Sequence, residues 1–185
     1  VPIDKVTMEV NPRLFVVPAK VELAGAEMEL VAAISREMRL KNALDEVKEQ
    51  YHYVVIDTPP SLGLLTLNAL TAADSFLVPI QCEYYALEGL SQLLSTIKLV
   101  QKNLNPGLEM EGILMTMYDN RTNLSNQVVA DVQQNFKEKV FKTIIPRNVR
   151  LSEAPSFGQS ILDYDPKSKG AETYLALAKE VIKHG

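Results

Sequence analysis

The chain has 185 residues, 46% hydrophobic and 23% charged, with a formal net charge of −4, a balance that fits one globular domain large enough to bury a core. No apolar run approaches the roughly 20 residues needed to span a bilayer, and Val1–Lys5 has neither the basic start nor the long apolar region of a signal peptide. One cysteine and two distant histidines exclude a disulfide framework and any site built from several thiolates, and make zinc an unfavoured metal.

In chain order, Leu14–Pro18 reads as a strand and Leu23–Gln50 as a helical stretch with a break near Ser35. Tyr53–Asp57 reads as a strand, Leu62–Thr71 as a helix, and Ser75–Ile80 as a strand. A helix over Tyr84–Asn103 follows, with Leu87, Leu90, Leu94 and Ile97 forming a core-facing stripe, and Asn105-Pro106-Gly107 closes it. Glu111–Met117 is the next strand, Ser125–Phe136 a helix, and Val140–Ile145 a strand stopped by Pro146. Arg147–Lys169 reads as a polar loop, before a last helix that runs to about Lys183. No internal repeat or interdomain linker interrupts residues 1–185, which are expected to form a single domain.

Strands alternating with helices imply right-handed crossovers and a mostly parallel α/β sheet with helices on both faces. Ligands bind such sheets beyond the C-terminal strand ends. Those ends are Asp57–Pro60, Gln81–Glu83, Thr116–Asp119 and Pro146–Asn148. The most informative of them is Tyr-Val-Val-Ile-Asp-Thr-Pro-Pro-Ser at residues 53–61. Its apolar run has the character of a strand buried on both faces, ending in a carboxylate where nucleotide-hydrolysing α/β proteins hold Mg²⁺. Asp57 could equally cap the helix that follows Pro60. Cys82, in the apolar setting Val78–Gln81, is expected to be a buried structural thiol. Charge is uneven, with a balance of −6 over residues 1–97 and +2 over residues 98–185. That leaves nucleic-acid binding open only if basic groups share a face.

Read together, Tyr53–Ser61, the stretch Cys-Glu-Tyr-Tyr-Ala-Leu-Glu-Gly-Leu (82–90) and the stretch Ile-Pro-Arg-Asn-Val-Arg-Leu-Ser-Glu-Ala-Pro-Ser (145–156) resemble the ParA/Soj chromosome- and plasmid-partitioning ATPases. These are deviant Walker A relatives of the MinD ATPases, and the resemblance runs from about Leu14 to the C-terminus. It implies a three-layer P-loop NTPase-like fold, Mg²⁺ with ATP as substrate, and an ATP-dependent homodimer. It also implies non-specific binding of double-stranded DNA, hydrolysis stimulated by a ParB-type centromere-binding partner, and a cytoplasmic, nucleoid-associated location with no membrane contact.

Residue by residue, the resemblance places Asp57 at the Walker B aspartate, which orders Mg²⁺ through water. It places Pro146 and Asn148 at nucleoside-contacting positions, although alone they read as an ordinary strand-ending turn. Arg121 and Arg150 match arginines that neutralise DNA phosphates irrespective of sequence, a patch that Lys139, Lys142 and Lys167 could extend. The stretch from Tyr84 to Leu90 offers a partner surface or simply a helix start. The relatives' first strand, the loop Lys-Gly-Gly-Val-Gly-Lys-Thr, its helix and a strand with a second Asp have no counterpart here. None of the eight glycines precedes a lysine. The departure predicts a fragment of a longer protein, without a complete catalytic set and inactive alone, with an exposed sheet edge and an uncovered apolar surface. The alternative is a non-catalytic interaction module derived from the same family. A MinD-like membrane-positioning protein is disfavoured because Glu180–Gly185 carries no apolar–basic tail, and the lone cysteine excludes an iron–sulfur relative.

Overall fold

The computed structural model describes residues 1–184, without the side chains of Ala24 and His184; Gly185, the end of the tail considered above, lies outside the described residues. Two compact units are formed: Val1–Asp74 with Ser95–Leu108, and Ser75–Leu94 with the chain from Glu109 onward.

In the first unit, β1 (Met8–Asn11) pairs antiparallel with β2 (Leu14–Val16) around the Pro12-Arg13 turn. The strand expected from Leu14 is therefore half of a hairpin, and its partner was not anticipated. Helix α1 (Leu23–Val31) ends before Ser35, whose positive φ of 51° makes the predicted break. A 3₁₀ turn leads into α2 (Arg39–Asp45), and α3 spans Leu64–Ala72. Buried Asn68 of α3 joins the helices. Its Oδ1 accepts from Leu40 N (3.1 Å), and its Nδ2 donates to Arg36 O (2.8 Å) and Leu64 O (2.9 Å). Both amide N–H groups and the oxygen have a partner, as a buried amide requires.

The expected strand Tyr53–Asp57 is not formed: the segment pairs with no other strand and has no regular structure. Its side chains are not buried on two faces either; Val55 is 91% exposed, and Tyr53 and Val54 are also exposed. The physical reason is that a strand is stabilised by its ladder and by cross-strand side chains. A β-branched run with no neighbour has neither.

The second unit is the α/β core. Parallel strands β3 (Ser75–Gln81), β4 (Glu109–Tyr118) and β5 (Val140–Pro146) lie in the order β3-β4-β5. They are connected through α4 (Ala86–Asn103) and α5 (Asn123–Phe136). Side chains alternate between faces with the period of two. Val78, Ile80, Ile113 and Met115 meet Leu90 of α4 and Val128 and Val132 of α5. Leu77, Leu114, Phe141 and Ile145 turn the other way, against Leu177 and Val181 of the final helix. The predicted α4 stripe is inward, with Leu90 and Ile97 buried.

The polar loop expected over Arg147–Lys169 is largely helical instead. It holds α6 (Val149–Glu153), a 3₁₀ turn at Ala154–Phe157 and α7 (Ile161–Tyr164), before α8 (Lys169–His184). Side-chain caps explain this: Asn148 Oδ1 accepts from Arg150 N (2.8 Å), and Ser160 Oγ from Asp163 N (3.2 Å). Among the described residues, no helix is long and apolar enough to cross a membrane.

Candidate functional site

At the C-terminal rim of the second unit the strand ends are tied to one another. Cys82 N donates to Thr116 O (3.0 Å), Arg147 N donates to Tyr118 O (2.9 Å), and Ser125 Oγ donates to Cys82 O (3.3 Å). Met117 has a positive φ of 54° inside β4, at a register shift against β5. A non-glycine residue in that region is uncommon, and such positions cluster at functional sites. Cys82 is 2% exposed, and burial pushes its thiol up to about 11, which fits a structural thiol rather than a nucleophile.

Beyond the ends of β4 and β5 opens a pocket of about 490 Å³, lined by Tyr118, Asp119, Asn120, Arg121, Ile144, Pro146, Arg147, Lys169 and Thr173. It brings together two of the residues assigned a role by the resemblance, Arg121 and Pro146. Apolar and aromatic surface comes from Tyr118, Ile144 and Pro146; of the charged lining, Arg121 is paired with Asp119, Arg147 with Glu83 (3.4 Å) and Lys169 with Glu172 (2.9 Å). Tyr118 is fixed by donating its hydroxyl to Asn126 Oδ1 (2.6 Å). The wall therefore offers apolar ring surface beside charged groups that are each engaged by an acid. Tyr118, Asp119 and Arg147 already stood among the sequence-selected strand ends. Lys169 and Thr173 did not, because their approach to β5 depends on how α8 packs.

Asn148 is half-buried beside the pocket and is not part of its lining. Its side-chain oxygen caps α6, as described above, so the turn-forming role is met. Its amide Nδ2 donates to no protein group among the described residues.

The two DNA candidates are each held by acids. Arg121 makes a bidentate pair with Asp119, Nε to Oδ1 at 2.9 Å and Nη2 to Oδ2 at 2.7 Å. Hydrogen bonds from the Arg121 side chain, then from its backbone, draw the Asp119 carboxyl down to about 2. Arg150 reaches Glu153 Oε2 at 2.9 Å and Asp165 Oδ2 at 3.5 Å. Both guanidinium groups remain largely in solvent, the Arg121 side chain at 83% exposure.

Asp57 lies in the first unit. Its side chain is exposed and accepts no hydrogen bond among the described residues, and the N-cap of α3 is Gly63, so the helix-capping alternative is not realised. A single carboxylate can serve Mg²⁺ only together with further oxygen ligands such as substrate phosphates and waters. Among the described residues no group of three or more His, Cys, Asp or Glu side chains could hold a metal by itself.

Comparison with known proteins agrees with this architecture. A family model described as an AAA domain matches residues 2–110. The chain is 62% identical over 183 residues to the sporulation initiation inhibitor protein Soj of Bacillus subtilis, covering 99% of this chain and 72% of that protein. It is 62% identical over 170 residues to the chromosome partitioning protein ParA of Myxococcus xanthus, covering 92% of this chain and 60% of that one. Among solved structures, a cobyrinic acid a,c-diamide synthase from Mycobacterium smegmatis with bound ADP and magnesium superimposes with a TM-score of 0.83 at 38% identity. That match covers all of this chain and 68% of the other.

Proposed function

The chain belongs to the ParA/Soj family of chromosome-partitioning ATPases, and from that premise we propose that it is the greater part of an ATPase that binds Mg·ATP, dimerises on it and coats DNA irrespective of sequence. The observation that carries the reading is the pocket beyond the C-terminal ends of two adjacent parallel strands, with Pro146 in its wall. Pro146 and Asn148 contact the nucleoside, Pro146 with apolar ring surface and Asn148 with its uncommitted amide. Asp57 holds Mg²⁺ through water; the ion, when bound, neutralises phosphate charge. Arg121 and Arg150 meet DNA phosphates, so affinity falls with salt and ignores base sequence.

A ParB-type centromere-binding partner stimulates hydrolysis and so releases the DNA, in the cytoplasm at the nucleoid. These 185 residues alone hold no Gly-Lys phosphate loop and are inactive by themselves, because it is the backbone N–H groups of such a loop that cradle the phosphates. Calorimetric titration of Mg·ATP into the 185-residue chain, beside the protein that includes the loop, tests the reading. The expected result is binding only by the longer protein. Micromolar binding by the 185 residues would refute the stated dependence on the loop, and no binding by either would refute the nucleotide function.

A further inference from the structure

The arginines assigned above to DNA phosphates are each paired with acids. Arg121 is locked fork-to-fork onto Asp119, two residues before it, and the same carboxylate also accepts the Arg121 backbone N–H at 3.1 Å. Arg150 faces two acids, Glu153 and Asp165, and Glu153 is itself held by the Tyr164 hydroxyl at 3.1 Å. Counting only the directly paired groups, the charge is zero at Arg121 with Asp119 and −1 at Arg150 with Glu153 and Asp165. Lys142 and Lys167, by contrast, are exposed and make no ion pair among the described residues. A single exposed ion pair is weak, whereas Arg150 is met by two acids at once. The Asp119–Arg121 pair is bidentate and is reinforced from the backbone, the geometry in which such pairs hold.

We propose that Asp119, Glu153 and Asp165 form a built-in electrostatic brake on nucleic-acid binding, keeping both arginines neutralised until a polyanion competes for them. This rests on the DNA reading of Arg121 and Arg150. A phosphate that approaches Arg121 meets a guanidinium with its Nε–Nη2 edge already occupied and a carboxylate directly behind it. Full counterion release at that arginine requires the carboxylate to let go or to lose its charge. The brake weakens non-specific binding and keeps it reversible without removing the donors. It gives a physical role to acids that a phosphate-binding surface would otherwise exclude.

The test is binding of the intact protein, with Mg·ATP present, to a fluorescent double-stranded DNA of arbitrary sequence across a salt series. D119N keeps shape and removes charge, and E153Q/D165N does the same at the second arginine, so a folding failure in one leaves the other informative. Each is expected to bind DNA about two- to fivefold tighter, the range set by the strength of an exposed ion pair. Each should also steepen the salt dependence toward the roughly 0.9 per neutralised phosphate of free cations. The gain should vanish in D119N/R121A, which ties it to that arginine. Unchanged or weaker binding in both charge-removing variants would overturn the brake, weaker binding marking the acids as positioning residues. R121A and R150A keep the two claims separate. If neither lowers DNA affinity, the DNA reading itself has failed, whatever D119N does.

Discussion

Gly112→Ala tests the packing that places the pocket strands. Gly112 sits inside β4, paired with Leu77 of β3, and a Cβ added there would lie 2.6 Å from Phe141 Cε2 and 3.0 Å from its Cδ2 and Cζ. Favourable carbon contacts lie at about 3.5–4.0 Å, so ring and strand must separate by about 1 Å. Phe141 cannot easily give way, since it is 2% exposed and enclosed by Leu114, Ile145 and Leu177. Overpacking of this kind costs about 1–3 kcal/mol. The smaller unfolded-state entropy of alanine returns about 0.4–1 kcal/mol. A net loss of about 1–2 kcal/mol corresponds to a fall in Tm of roughly 2–8 °C for a chain of this size. Thermal and urea unfolding of G112A, F141L and G112A/F141L measure it. The double variant should be less destabilised than the two single effects added, because removing ring edges relieves the clash. An unchanged Tm in G112A, or strict additivity, would refute the contact as the reason for glycine.

Two further outcomes follow from single side chains. Asp57→Ala in the intact protein should lower Mg²⁺-dependent ATP turnover by about 10–100-fold, the usual effect of losing a group that acts on a metal through its outer sphere. Stability should change by less than about 0.5 kcal/mol, since the carboxylate has no partner to lose; normal turnover would end the metal assignment. Cys82, raised from 9.0 to about 11 by burial, keeps its proton longer in the folded protein than in the unfolded chain. Its contribution to stability is therefore complete below about pH 9 and is lost as pH climbs through about 11. Comparison with C82A over that window isolates it from other alkaline titrations, and rapid labelling of native Cys82 at pH 8 would contradict its burial.

What could be read from the sequence divides along a physical line. Periodicity located α3, β3, α4, β4, α5 and β5 to within two residues at each end, because each has neighbouring elements to pack or pair against. Tyr53–Ile56 has the composition of a buried strand and is not one, because composition records what a segment can pair with and the ladder needs a neighbour actually beside it. Other misses were legible. Asn11-Pro12 is a turn dipeptide between two short runs, which is the hairpin of β1 and β2. Ser160 followed by Asp163 is a capping pattern that starts α7 in the stretch taken for loop, where Ser160 Oγ also donates to Asp163 Oδ2 at 2.6 Å.

The site is where the sequence carries least. Arg121 and Arg150 can be picked out as cations, and their acidic neighbours are visible two and three residues away. Whether each pair points at one another or away depends on the turn that joins them. Here the Asp119–Thr122 turn, closed by Thr122 Oγ1 donating to Asp119 O at 3.0 Å, folds the carboxylate back under the guanidinium. A count of positive residues would therefore overstate the charge this surface offers to DNA. The number that governs its salt dependence is the count of cations left after local pairing, and the charge-removing variants at Asp119, Glu153 and Asp165 measure that number directly.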